Sequence, residues 1–85
     1  MWIRLDPPFG DGKTWEELEL QEPVSVGELV KRLVATHSPL RPYLRATPEE
    51  TFYQFILIRG DHVLTGDDKI EPQDRIIVMM PLAGG

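Results

Sequence analysis

The sequence predicts an α+β domain, a mixed sheet of about five strands with one main helix laid across one face. Three observations predict it. Short alternating or β-branched apolar runs lie near both ends and in the later middle of the chain. One stretch between them has apolar residues at intervals of three and four, and clusters of turn formers separate the segments. At 85 residues there is room for a single core and no second domain.

Residues 1–6 alternate Met1, Ile3, Leu5 with Trp2, Arg4, Asp6, the period of a half-buried strand. The run Pro7-Pro8-Phe9-Gly10-Asp11-Gly12 supplies a turn to a second strand over residues 13–21, with Leu18 and Leu20 inward and Glu17 and Glu19 outward. Ser25-Val26-Gly27-Glu28 reads as a capping box. Val26, Leu29, Val30, Leu33 and Val34 then form one apolar helical stripe, His37 suits the negative end of the helix dipole, and Pro39 stops propagation.

Residues 38–51 hold three prolines with Leu40, Tyr43 and Leu44, and read as a loop with one short helical turn. Residues 52–59 read as a central strand, because Phe55-Ile56-Leu57-Ile58 is nearly continuous in apolar character. Gly60-Asp61 turns into a short edge strand over 62–64, residues 66–74 loop back, and residues 75–80 form the last strand. Residues 1–80 thus form the domain and 81–85 an extended tail. If the first and last strands pair in parallel, the long crossover between them carries the helix.

Composition narrows the chemistry. A hydrophobic fraction of 41% with 27% charged residues fits a soluble globular domain. No run approaches a bilayer span and residues 1–6 lack signal-peptide character, so a cytoplasmic protein without membrane attachment is expected. With no cysteine, disulfides, thiolate metal sites and a thiol nucleophile are excluded. The net charge of −5 argues against direct nucleic-acid binding and fits either a basic protein partner or an acidity that only keeps a small protein soluble.

The local motifs read as structural. Gly12-Lys13-Thr14 resembles the end of a phosphate-binding loop, but Pro7 stands where the first glycine is needed. His37 and His62 have no neighbour at metal-ligand spacing, and Asp67-Asp68 lacks a calcium loop's oxygen spacing, so no metal site is expected. Ser25 and Ser38 serve as cap and turn residues, and no nucleophile turn is present.

Two surfaces remain. With Ile76 and Val78 turned to the core beside Ile3, Leu5, Ile56 and Ile58, the alternation turns Trp2, Phe55, Leu57, Ile77 and Met79 to a face that no element covers. Such a patch is a partner surface, adaptable through methionine, unless residues 38–51 fold across it. The other is the tail: Pro81 ends the sheet and keeps the chain extended into Leu82-Ala83-Gly84-Gly85.

Taken together, the element order and the run from Gly66 through Asp67-Asp68, Ile70, Asp74, Ile76-Ile77-Val78-Met79-Met80-Pro81 to Gly84-Gly85 resemble the β-grasp sulfur carriers and ubiquitin-like small modifiers. The similarity is strongest to the MoaD-like small subunit of molybdopterin synthase, with the ThiS-like carriers of thiazole synthesis as relatives. Gln73 stands where the family usually has glycine, and Met80-Pro81 where many members have two prolines. The resemblance implies a ubiquitin-like β-grasp fold and a protein that is not an enzyme but the substrate of a MoeB/ThiF-like adenylating partner. That partner uses ATP to adenylate the carboxylate of Gly85, which becomes a thiocarboxylate. Pro81, Leu82, Ala83 and Gly84 position the arm, and the large subunit of molybdopterin synthase or an equivalent acceptor takes the sulfur. No cofactor bound by this chain is implied. The same terminus also admits two alternatives, a protein modifier and a tRNA-thiolation carrier.

Overall fold

The computed structural model describes residues 1–46 and 51–81. In chain order it contains β1 (Trp2–Leu5), β2 (Trp15–Glu17), β3 (Val24–Ser25), α1 (Val26–Thr36) and a 3-10 helix (Ser38–Tyr43). There follow β4 (Leu44–Ala46), β5 (Thr51–Tyr53), β6 (Ile56–Arg59), β7 (His62–Val63), β8 (Lys69–Ile70) and β9 (Arg75–Met79). The main sheet has five strands in the order β2-β1-β9-β6-β7. Strands β1 and β9 run parallel, and the remaining neighbours are antiparallel. The fold is α+β and β-grasp-like, with one main helix on a mixed sheet.

The parallel pair is locked beyond its own ladder. The Trp2 N–H donates to the Asp74 carbonyl at 2.9 Å, and the Asp6 N–H donates to the Val78 carbonyl at 2.8 Å. A parallel pair requires a long crossover, and here that crossover carries α1 onto one face. Val26, Leu29, Val30 and Leu33 are buried there against Ile3, Leu5, Leu57, Ile76 and Val78. Among the described residues no polar or charged side chain is buried. The core therefore rests on apolar burial and needs no internal polar network.

Ser25 caps α1, its hydroxyl accepting from the Glu28 N–H at 3.1 Å. The second half of the expected capping box is absent. The Ser25 backbone is engaged in the β3–β8 pair, and the Glu28 carboxylate turns to Arg32, one helical turn on. At the other end the His37 N–H donates to the Leu33 carbonyl at 2.8 Å.

Several sequence expectations are corrected. Phe55 and Leu57, expected on the open face, are buried at 2% and 0% exposure, while Ile56 and Ile58 are the half-buried members. The reason is register: Leu57 pairs with Val78, and directly opposed residues share a face, so Leu57 must follow Val78 into the core. A four-residue apolar run carries no polar marker of its phase. It also hides a bend at Gln54-Phe55, which separates β5 from β6 and turns the Phe55 ring inward. The central position belongs to β9, with β6 beside it. Lys69–Ile70, read as loop, is β8, paired antiparallel to β3 with Ile70 fully buried.

Of the segment 38–51, residues 38–43 do not cross the open face, and residues 47–50 lie outside the described residues. The 3-10 helix lies against α1 with Leu40 at 0% exposure in the core, and β4 pairs with β5 as a separate ribbon. Phe9, in the segment read only as a turn, is buried, meeting Tyr43 and Phe55 edge-on at ring separations of 5.1 and 5.8 Å. Gly10 allows this fold-back, since a Cβ there would stand 2.6 Å from the Leu5 carbonyl oxygen.

The inverted facing of β6 makes a test. Leu57→Ala is expected to lower the unfolding free energy by about 2–5 kcal/mol in a denaturant titration. Ile56→Ala, on the half-exposed face, should cost less than about half as much. Equal losses would contradict the register.

Candidate functional site

The sheet face opposite α1 follows from the ladder. Across the strands, Glu17, Trp2 and Arg75 form one row, and Trp15, Arg4, Ile77, Ile58 and Val63 form the next. Ile56 and Met79 form a third. Of the five residues expected on the open face, the structure brings Trp2, Ile77 and Met79 together there and sends Phe55 and Leu57 to the core. Trp2 is 41% exposed and Val63 49%, while Ile56, Ile58, Ile77 and Met79 are half-buried. This is a shallow apolar surface with an aromatic end.

That end carries the charge. Trp15 lies under two guanidinium groups, Arg4 at 5.4 Å and Arg75 at 5.0 Å from its ring. Arg4 is also held by the Asp6 carboxylate, at 2.9 Å from Nε and 3.4 Å from Nη2. Arg75 reaches across β1 to the indole and makes no ion pair among the described residues. Trp15, Val63, Arg4 and Arg75 were not singled out from the sequence, and Ile56 and Ile58 were expected in the core. For Trp15 the signal was present, because it is in phase with Glu17 and Glu19, the outward side of its strand.

The arm begins where this face ends. β9 stops at Met79, Met80 rests against the core, and Pro81 is exposed. The expected roles of Leu82, Ala83, Gly84 and Gly85 lie outside the described residues.

On the helix side a cleft of about 310 Å³ is lined by Leu5, Phe9, Gly10, Asp11, Thr14, Glu16, His37 and Pro39. Its rim is closed on itself. His37 Nε2 lies 2.6 Å from Glu16 Oε2, joining the helix end to the β2 edge. Asp11 accepts from the Lys13 and Thr14 N–H groups at 2.8 Å and from the Thr14 hydroxyl at 2.6 Å. This Asx-type turn accounts for the Gly12-Lys13-Thr14 motif without a phosphate. Among the described residues no cluster of His, Asp and Glu could hold a metal, and no helix is long and apolar enough to cross a membrane.

The Thr14 hydroxyl, with the Thr14 and Lys13 amides, lowers the Asp11 pKa to about 2. Because the folded value is depressed, the turn's contribution is complete above the ordinary carboxylate range and fades as pH falls through about 2. An NMR titration should show the Thr14 amide moving with an Asp11 midpoint near pH 2, and Asp11→Ala should abolish that step. A midpoint near 4 would disprove the clamp. Compared with models of known protein families and with curated proteins, the chain matches neither a family model nor a curated relative.

Proposed function

We propose that this chain is a cytoplasmic sulfur-carrier protein of the MoaD-like class, activated at Gly85 and used in molybdenum or tungsten pterin synthesis. The observation that carries the reading is the join between fold and tail. The central strand of a β-grasp-like sheet, β9, leaves the domain through an exposed Pro81, and the sequence continues as Leu82-Ala83-Gly84-Gly85. The open face beside that exit supports docking.

The proposed chemistry is simple for this chain. With Gly85 as the terminal residue, its carboxylate is an anion at neutral pH and a poor acyl donor. Attack of that carboxylate on the α-phosphorus of ATP, in the partner's site, forms an acyl adenylate and releases pyrophosphate. A hydrosulfide equivalent from a sulfur donor then adds to the acyl carbon and expels AMP, leaving the thiocarboxylate. Glycine serves both steps because, lacking Cβ, it enters a narrow channel and reaches backbone angles closed to other residues. Trp2, Ile77 and Met79 dock on the partner, while Pro81 to Gly84 hold the arm extended.

Intact-protein mass spectrometry of the native protein tests the reading. Replacement of one oxygen by sulfur at the terminus is the expected result, and ladders of conjugates on other proteins would assign the modifier function instead. Removing Gly84 and Gly85 should abolish adenylation and leave folding unchanged. Ile77→Asp and Met79→Asp should weaken partner binding by about tenfold or more. Both should cost less stability than Leu57→Ala, as compared in denaturant melts.

A further inference from the structure

Among the described residues, the open face has one cation without a carboxylate. Its charged groups are Arg4 and Asp6, which neutralise each other at 2.9 Å, and Glu17 and Arg75, which stand on opposite sides of the Trp2 strand. Two strand spacings, roughly 9–10 Å of backbone, separate Glu17 from Arg75, and no ion pair joins them. Arg75 is also not loose. Its guanidinium is held 5.0 Å from the Trp15 ring, which orients it at reduced entropic cost while leaving its donors unused by the indole.

An oriented, exposed guanidinium beside an apolar surface has a defined complement. Carboxylate is the group that matches its fork bidentately, and partial desolvation by Trp2 and Trp15 strengthens such a pair over one in open water. We infer that the open face receives a partner-protein segment that sets a carboxylate against Arg75 and aliphatic or aromatic side chains against Trp2, Ile77 and Met79. The whole chain, at −5, attracts a basic partner at long range, yet this face selects an acidic contact at short range. Glu17, at the other end of the Trp2 row, gives the contact a direction, since a partner placed backwards would bring its carboxylate to another carboxylate. The inference rests only on the docking part of the proposed function, and holds or fails independently of any thiocarboxylate.

The test uses the full chain, immobilised, to select from a library of random displayed peptides, with each selected peptide then synthesised and its affinity measured in solution. Peptides carrying Asp or Glu beside aliphatic or aromatic residues are expected. Arg75→Glu should weaken them by about tenfold or more, Arg75→Lys by less, and a Glu→Lys change in the peptide should recover binding to the Arg75→Glu chain. Circular dichroism of each variant separates lost contact from lost folding, and Arg75→Gln repeats the loss should Arg75→Glu fail to fold. Selection of no peptide, of peptides without a carboxylate, or of peptides indifferent to Arg75 would overturn the inference. So would concentration-dependent dimerisation removed by Ile77→Asp, which would give the face to a second copy of the chain. A native protein without thiocarboxylate that still passes the Arg75 tests would refute the carrier chemistry and leave the surface standing.

Discussion

Everything else in the structure depends on the parallel pairing of β1 with β9. An antiparallel pair closes with a tight turn, but a parallel pair needs a crossover, and the intervening chain must pass over a face of the sheet. That passage places α1 against Ile3, Leu5, Ile76 and Val78 and makes a core with no buried polar group among the described residues. The same geometry leaves the other face bare, because the helical layer is already spent on the first. Core and open face are two consequences of one strand pairing.

The position of β9 also gives the arm its base. A strand between β1 and β6 has its ladder satisfied on both sides, so its end is held as firmly as any point in the sheet. Met80 remains against the core, and one residue later Pro81 is in solvent. The step from core to solvent is thus confined to about one residue, and proline's restricted φ narrows the chain direction at Pro81.

The sequence made the fold class, the helix stripe and the facing of β1 and β9 legible, because Arg4 and Arg75 mark the outward side of their strands, and it offered the parallel pair only as a condition. It did not make β6 legible, since Phe55-Ile56-Leu57-Ile58 has no polar residue to set its phase and the deciding fact, Leu57 opposite Val78, is tertiary. Phe9 and Ile70 were hidden by their turn-rich surroundings; each is buried through a partner distant in sequence, Tyr43 for one and Val24 for the other. Of the candidate surface, Trp2, Ile77 and Met79 were readable. The Arg75–Trp15 contact was not, because it spans three strands and two ends of the chain.

Under the carrier reading, separating the docking face from the reacting end has an energetic consequence. Pro81 links the two, so once the face has docked, the arm meets its channel as an intramolecular event at an effective concentration set by a very short tether. The face can then be individually weak, and a shallow patch such as Trp2, Ile77 and Met79 is enough. A carrier that must leave an activating enzyme and visit an acceptor is better served by two modest contacts than by one tight one, because dissociation rates carry most affinity differences. An oriented charge such as Arg75 adds selectivity without adding much area. That is the combination a reusable docking face requires, and it places discrimination among partners in the row from Glu17 to Arg75 while the core beneath holds the fold.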